Sequence, residues 1–457
     1  MPFYLCVCCF FLIFATKYYL IQGYDEKSII ARLLVTVAGV FVAAQTAWAA
    51  GTVNFPTTSG GSGTSDDPYK ISSTDDLKQL ADDVNSGTYY QGVYFIVTQD
   101  ITYTHLAEGE DGADTENNFT AIGQGKKFQG YFDGNGKTIS GIRIYMNYNK
   151  NQLLFFGPFG LFGRIGSTAE VKNVTLTDTR ISSGSVGGIV GSNGGGKVTN
   201  CHVTNTVEIQ GIGDVTQHGG IVGYNGYLNE EIKGIVSGCV SEAKFTNCSG
   251  MVGGIAGSND GILENNFVIG ATIPAIGDNT RGTIVGRNIE STLTNNYYTA
   301  CTVAGTANAT NVGVGVDGYY QPVGDVAEND GALCVYKMTL AEGVTDVTID
   351  ASAKVYSYDS KDYYTPGTTV KLTYTGTPAK GYIFGGIDVG EGVTGTLSEN
   401  DYTMTMPARD VTASVNFILK GDINGDNVVN VADIVKAIND GKPQDDIDEM
   451  VNIIMDK

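Results

Sequence analysis

A seven-residue motif of glycines, branched apolar residues and an asparagine recurs through the middle of the chain. It reads GGIVGSN at 187–193 and returns in varied form at 219–225, 253–259 and 282–288. With a shorter GLFG copy at 160–163, the motif repeats every 28 to 34 residues. Self-similarity at this period is typical of arrays whose units must stack, because one unit alone does not bury its own core.

The residues between the motifs favour strands over helices. Each asparagine is followed by a second short signature, VTNCHV, VSGCVS, LENNFV or LTNNYY, and no helical pattern of sufficient length separates the motifs. We therefore predict an all-β fold built on a right-handed parallel β-solenoid (β-helix), in which glycines allow positive φ at the corners and close approach of neighbouring coils. The motif asparagines suit left-handed turns and are expected to stack as a ladder: Asn193, Asn225, Asn259 and Asn288.

Shifts in composition divide the 457 residues into seven segments. They are a leader (1–49), a flexible lead-in (50–68), an N-terminal cap with the first coils (69–150), the solenoid repeats (151–310), a linker (311–336), a small β-sandwich (337–419) and a helical module (420–457). The formal net charge of −21 argues against nucleic acid and anionic membrane surfaces as partners.

The leader has the order of a secretory signal. Lys27 and Arg32 precede an apolar run, and a small-x-small boundary predicts cleavage after Ala49. The apolar stretch 1–24 has two explanations, a start assigned too far upstream or an N-terminal membrane anchor. We expect no membrane span in the mature chain.

Five cysteines follow the leader, and an odd number at irregular spacing does not make a disulfide framework. Cys201 and Cys239 occupy equivalent places in adjacent repeats. Either a disulfide between stacked coils or a pair of buried free thiols would fit this placement.

Two patterns before the repeats have structural explanations. A helix is predicted at 72–87, capped by Ser73 or Thr74, with one apolar face formed by Leu77, Leu80, Ala81 and Val84. In the DGNG turn that follows, Asp133 is expected to bond its own backbone rather than to act in catalysis.

The GGIVGSN units are similar to GLUG repeats, which occur in secreted and surface proteins of bacteria. The segments before them resemble the region that precedes such repeats, so the resemblance covers residues 64–304. It implies a repeat architecture and no particular ligand. GLUG repeats also occur in immunoglobulin-cleaving metalloproteases, but this chain has no HExxH motif and only three histidines, so that activity is not implied.

Residues 337–419 resemble a small all-β repeat common in bacterial surface proteins. Alternating apolar residues in VTASVNF at 411–417, together with VKLTYTG at 370–376, predict the strands of a small sandwich. The expected role is that of a spacer or binding module.

The strongest chemical motif is GDINGDNVVNVAD at 421–433. Calcium prefers six to eight oxygen ligands, which a twelve-residue loop supplies from positions 1, 3, 5, 7, 9 and 12. An Asx-rich turn before a helix is the structural alternative. Counting from the first aspartate, the predicted ligands are Asp422, Asn424, Asp426, the Val428 carbonyl, Asn430 (directly or through water) and Asp433.

The same segment resembles a type I dockerin, which implies a small α-helical, EF-hand-like module that binds calcium and docks to a partner. The second half, GKPQDDIDEMVNIIMDK, predicts a helix but lacks ligand spacing, so one ion is expected. Asn427 stands where an EF-hand loop has glycine. Val431-Ala432 stands where dockerins often have Ser-Thr, which argues against a classical cohesin-like partner.

These features predict a secreted or cell-surface, adhesin-like protein without catalytic activity. Its expected partners are host or plant glycans or surface proteins. The alternative is a component that binds or degrades polysaccharide, which the dockerin resemblance and the solenoid shape favour. No Ser/His/Asp or Cys/His signature appears, so no catalytic residue is predicted.

Overall fold

The computed structural model describes a set of ranges within the chain: 55, 59–146, 158–212, 217–229, 232–274, 281–289, 291–303, 306–307 and 332–455. The predicted leader and most of the predicted linker lie outside these described residues.

Five sheets run along a stack of coils, and each sheet takes one strand from successive coils. The first contains Tyr69–Ile71, Tyr94–Val97, Tyr131–Asp133, Glu170–Lys172, Lys197–Thr199, Ile235–Ser237, Ile262–Glu264 and Thr292–Thr294. The second contains Ile101–Thr102, Thr138–Ser140, Thr175–Thr177, His202–Val203, Val240–Ser241, Phe267–Ile269, Asn296–Thr299 and Ala332–Cys334.

The other three sheets complete the coils. The third contains Arg143–Tyr145, Arg180–Ser183, Glu208–Gly211 and Lys244–Thr246. The fourth contains Pro158–Phe159, Ser185–Gly187, Gln217–Gly219, Met251–Gly253 and Arg281–Gly282. The fifth contains Phe162–Ile165, Val190–Gly194, Val222–Asn229, Ala256–Asn259 and Val285–Asn288, with Ile232–Lys233 antiparallel beside it. A small sheet joins Thr272–Ile273, Thr302–Val303 and Thr306–Ala307.

Successive coils pair in parallel and in register. Val190 lies opposite Val222, which lies opposite Ala256, which lies opposite Val285. Equivalent apolar residues therefore form continuous buried columns, one of which is Leu161, Ile189, Ile221, Ile255 and Ile284. The predicted mostly-β, parallel, solenoid-like architecture is confirmed, and its handedness stays a prediction.

The motif glycines are required by the close approach of coils. A Cβ added to Gly188 would lie 2.5 Å from the Gly220 carbonyl oxygen, and one added to Gly254 would lie 2.3 Å from the Thr283 carbonyl oxygen. Positive φ occurs at other glycines and not at these, so that part of the expectation is wrong for the motif. Thr283 takes the place of the motif glycine in the last coil. A side chain fits there because, within the described residues, no strand follows Arg281–Gly282 in the fourth sheet.

The motif asparagines form the predicted ladder, but with a different backbone. The Asn193 amide donates to Asn225 Oδ1 at 2.9 Å, and the Asn225 amide donates to Asn259 Oδ1 at 2.7 Å. Asn288, the fourth member, accepts from the Asn259 amide at 2.8 Å. None of the four has positive φ, so the left-handed assignment is wrong. The left-handed residues lie at the next corner, with φ of 51–65°: Asn135, Asn173, Asn200, Gly238, Asn265 and Asn295.

Helix α1 (Thr74–Ser86) covers the N-terminal end of the solenoid core. The Ser73 hydroxyl accepts from the Asp76 N–H at its start, and Gly87, with φ of 112°, ends it. The predicted apolar face is buried. Phe55, in the segment expected to be a flexible lead-in, is buried with its ring 5.3 Å from that of Phe95.

Two further sheets share one apolar core after the solenoid. The first contains Tyr356–Tyr358, Lys361–Tyr364, Tyr336–Leu340, Val411–Leu419 and Tyr382–Asp388, and the second contains Val347–Ile349, Thr369–Tyr374, Asp401–Thr405 and Gly395–Ser398. Short 3-10 turns occur at Ala113–Thr115 and Ala351–Ala353. Tyr363 packs on Phe267 at a ring distance of 5.0 Å, so this unit contacts the second solenoid sheet directly.

Two helices end the described chain, α2 (Val431–Asn439) and α3 (Gln444–Met455). Their shared core is small and consists of Ala437, Ile447 and Met450, with Ile423 and Ile434 partly buried against it. No helix among the described residues has the length and apolar character needed to cross a membrane.

Candidate functional site

Three carboxylates converge in the loop before α2. One oxygen from each of Asp422, Asp426 and Asp433 lies within 4.8 Å of the others. The loop turns tightly enough to do this because Gly425 and Asn427 have φ of 79° and 65°. Asn427 thus adopts the left-handed backbone for which EF-hand loops use glycine at this position.

The Asp422 carboxylate organises the first half of the loop. It accepts from the backbone N–H groups of Gly425 at 2.8 Å and Asn427 at 2.9 Å. Asp426 accepts from the Asn424 side-chain amide at 3.0 Å. Neutral donors, from the backbone and from the Asn424 side chain, therefore hold these acidic groups in place.

Asp433 is buried and closes the second half of the loop. Its Oδ1 accepts from the Ile423 and Asn424 N–H groups at 2.9 and 3.0 Å, and its Oδ2 accepts from the Asn430 N–H at 2.9 Å. Burial raises the pKa of this carboxyl, but the three backbone donors outweigh burial and hold the pKa below its usual range. Asp433 is therefore ionised at neutral pH.

The remaining predicted ligands flank this cluster. Asn430 Oδ1 accepts from the Ala432 N–H at 2.7 Å, so this side chain caps α2 and forms a capping box with Asp433. The Val428 side chain is 52% exposed. A site of three carboxylates, an amide oxygen and a backbone carbonyl has the hard-oxygen donors that calcium prefers, so the residues present fit this ion.

The cysteines and histidines form no comparable cluster among the described residues. All five cysteines after the leader are free, and Cys334 alone is not fully buried. Burial raises the pKa of Cys248 and of Cys301 to about 12, as expected for inert core thiols. His218 is buried in the fourth sheet, and burial lowers its pKa to about 4.

Sequence patterns did not reveal a polar cluster where the solenoid meets the sandwich. His202 Nε2 lies 2.8 Å from Glu242 Oε1, and the Tyr358 hydroxyl donates to the same oxygen at 2.7 Å. The contacts of His202 and Tyr358 hold the pKa of Glu242 below its usual range, against the opposing effect of burial. The three residues are far apart in sequence, so no local signal marks them.

Two family models match parts of the chain. Residues 182–208 match the GLUG motif, and residues 344–421 match the divergent InlB B-repeat domain. The second match falls on the two-sheet unit that follows the solenoid.

Two curated relatives and one solved structure are similar to the chain. Halomucin of Haloquadratum walsbyi is 30% identical over 165 residues, which cover 36% of this chain and 2% of halomucin. A protein of Evansella cellulosilytica, provisionally named a Gly-rich membrane protein, is 30% identical over 135 residues, which cover 29% of this chain and 14% of that protein. The chain thus spans a small part of either relative.

The similar solved structure is described as that of a proposed immunoglobulin A1 protease from Bacteroides ovatus. Its identity to this chain is 20%, its TM-score is 0.38, and the alignment covers 62% of this chain and 78% of the other. A likeness this loose carries no argument about activity.

Proposed function

We propose that the chain is a secreted or cell-surface, adhesin-like protein without catalytic activity. In this proposal, the β-solenoid is a scaffold that displays its outer faces to a partner, and the C-terminal residues form a calcium-binding, dockerin-like docking module. The observation that carries the proposal is the continuous stack of in-register coils.

Several findings support the surface assignment. A GLUG motif lies in the solenoid, an InlB-type repeat follows it, and one similar protein is named as a membrane protein. Stacked coils expose a long, regular surface while burying a core that each coil alone lacks, which suits a scaffold exposed outside the cell.

Surface labelling of intact cells tests this proposal. Antibodies against residues 336–419 should stain unpermeabilised cells, and external protease should remove the signal. Retention of the protein in the cytosol, with staining only after permeabilisation, would contradict the proposal. N-terminal sequencing of the exported protein, expected to begin at Ala50, tests the leader separately.

Calcium is the proposed ion of the Asp422–Asp433 loop. The ligands would be Asp422, Asn424, Asp426, the Val428 carbonyl, Asn430 directly or through water, and Asp433. Three neighbouring carboxylates repel one another in the absence of a cation, which favours binding of a divalent ion.

Isothermal titration of the mature chain tests the calcium site. One calcium ion per chain is expected, and Asp422→Ala should abolish the heat of binding. Asp440→Ala is the matched control, since Asp440 lies beyond α2 and pairs with Lys436 at 3.0 Å. Two equivalent ions per chain, or none at millimolar calcium, would refute the single-loop assignment.

The docking part of the proposal rests on the outer face of α2. Val431, Val435 and Ile438 follow helical spacing and are 52–65% exposed. A protein partner with an apolar surface would cover this row. Because the row begins with Val431 rather than Ser-Thr, a classical cohesin is not the proposed partner.

A second candidate function is binding of polysaccharide. The observation that favours it is a polar cleft on the third solenoid sheet.

A further inference from the structure

One outer face of the solenoid carries a row of charged residues, one from each of the four strands of the third sheet. In the third sheet, Arg143 lies opposite Arg180, Arg180 lies opposite Glu208, and Glu208 lies opposite Lys244. A segment at 105–114 lies beside this row. Between them is a cleft of about 370 Å³, within the usual range for a ligand site.

The two arginines bind the segment at 105–114, which forms one side of the cleft. Arg143 pairs with Asp178 at 2.9 Å and lies 3.0 Å from His105 Nε2. Arg180 pairs with Asp114 at 3.0 Å and also donates to the backbone carbonyl of Ala113. These contacts within the chain position the segment beside the row, so this part of the cleft is formed without a ligand.

Glu208 and Lys244 form the other end of the row. Lys244 is exposed and forms no ion pair within the described ranges. Beside it, the Glu208 carboxylate accepts from the Thr246 hydroxyl at 2.6 Å, which leaves its second oxygen for another donor. Thr206 also lines the cleft, but its hydroxyl is already bonded within the chain, because it accepts from the Asp178 N–H at 2.8 Å and lies 2.7 Å from the Thr177 hydroxyl.

The charges of the lining differ from those of the rest of the chain. Three cations (Arg143, Arg180, Lys244) stand with three carboxylates (Glu108, Asp178, Glu208). The whole chain has 28 lysines and arginines against 49 acidic residues. A ligand with isolated negative charges is therefore repelled less here than over most of the surface.

We propose that this cleft binds an acidic glycan, one that carries a carboxylate on its sugar units. A sugar carboxylate would bind Lys244, and a neighbouring sugar hydroxyl would donate to the Glu208 oxygen that Thr246 leaves free. Strands of successive coils lie ~4.8 Å apart, so an extended glycan that lies along the row would contact more than one coil. This inference rests on the proposed surface function and names the class of its ligand.

Calorimetry with a tetramer of galacturonic acid tests the proposal on the mature full-length chain. The wild-type chain should bind the tetramer at millimolar concentration or below, and the affinity should fall as salt is added. Lys244→Gln should weaken binding at least tenfold without lowering the melting temperature, because Lys244 stabilises no described partner. A neutral galactose tetramer should bind at least tenfold more weakly than the acidic one.

Lys197→Gln is the matched control, because Lys197 is an exposed, outward lysine on the first sheet. It should bind the acidic tetramer as the wild type does. Absence of binding by the wild type, equal affinity of Lys244→Gln and wild type, equal loss in both variants, or equal binding of the neutral tetramer would each overturn the proposal. The surface-labelling result is independent of all four outcomes, so the two proposals fail separately.

Discussion

The solenoid and the C-terminal loop hold polar side chains in opposite ways. In the solenoid, Asn225 is fully buried, yet its carbonyl accepts from Asn193 and its amide donates to Asn259. In the loop, the carboxylates of Asp422 and Asp426 lie close to that of Asp433, and only neutral donors lie between them. The first arrangement is complete within the chain, whereas the second concentrates negative charge.

This difference predicts how each region responds to change. A coil gains its partners from the coils before and after it, so solenoid stability depends on shape and on hydrogen-bond matching. The loop and the two helices that follow it share only a small apolar core. The repulsion among its carboxylates therefore has a larger effect on its stability than charge has in the solenoid. The solenoid should be sensitive to core substitutions and indifferent to metal ions, and the loop should show the reverse.

The largest expected effect is that of a charge in the solenoid core. Ile189 is fully buried in a column of equivalent apolar residues. Ile189→Asp should lower the free energy of unfolding by about 4 kcal/mol or more, since it places an unpaired carboxylate in a close-packed coil. Denaturant unfolding measures the loss. Lys197→Asp, at an exposed position, is the control, and an equally stable Ile189→Asp variant would contradict the core assignment.

The second effect tests whether the following coil is what forbids side chains at the motif glycines. Gly254→Thr should destabilise the solenoid by about 2–3 kcal/mol, because its Cβ would lie 2.3 Å from the Thr283 carbonyl oxygen. The reverse change, Thr283→Gly, should cost about 1 kcal/mol or less. Thermal unfolding of both variants gives the comparison, and equal losses would remove the stacking explanation.

The repeat period was enough to predict the stacked fold, because equivalent residues must coincide in every coil. The backbone of the asparagines was predicted wrongly. Asn193 was assigned a left-handed turn from its residue type, whereas its side chain bonds the Gly196 N–H and C=O across the corner with an ordinary backbone. The left-handed position belongs to Asn200, seven residues later, in a signature that also contained asparagine.

The two candidate sites also differ in how far sequence alone could predict them. Asp422, Asp426 and Asp433 could be predicted from sequence because one short loop contains them all and their spacing matches the ligand positions of a twelve-residue calcium loop. The cleft residues Arg180 and Lys244 come from different coils of unequal length, so their alignment depends on strand register. The register between coils cannot be read from any single residue, so the cleft could not be predicted from sequence.

The third effect concerns calcium at the loop. Saturating calcium should stabilise residues 420–455 by about 2.7 kcal/mol at a concentration 100 times the dissociation constant, because it binds the folded loop only. Hydrogen exchange should therefore show greater protection there with calcium than with a chelator, and unchanged protection in the solenoid. Asp422→Ala should behave like the chelated chain, and Asp440→Ala like the wild type. Equal protection with and without calcium would contradict this prediction.

The smallest expected effect on stability is that of Glu242, which lies where the solenoid meets the sandwich. This residue shares features of the buried asparagines and of the acidic loop. Glu242 is a charged group, but like the asparagines it has its partners, His202 and Tyr358, within the chain. The pKa of Glu242 is lowered in the folded chain, so the stabilising contribution of its carboxylate is present above the ordinary carboxyl pKa of about 4.3 and is lost as pH falls through the lower folded value.

Glu242→Gln should therefore lower the free energy of unfolding by about 1 kcal/mol or less at pH 7, and melting curves should show the difference from wild type shrinking between pH 5 and about 3. Glu264→Gln, on the first sheet, controls for the general loss of one negative charge. A difference between Glu242→Gln and wild type that stays constant down to pH 3 would mean that the charge of Glu242 contributes nothing to this contact.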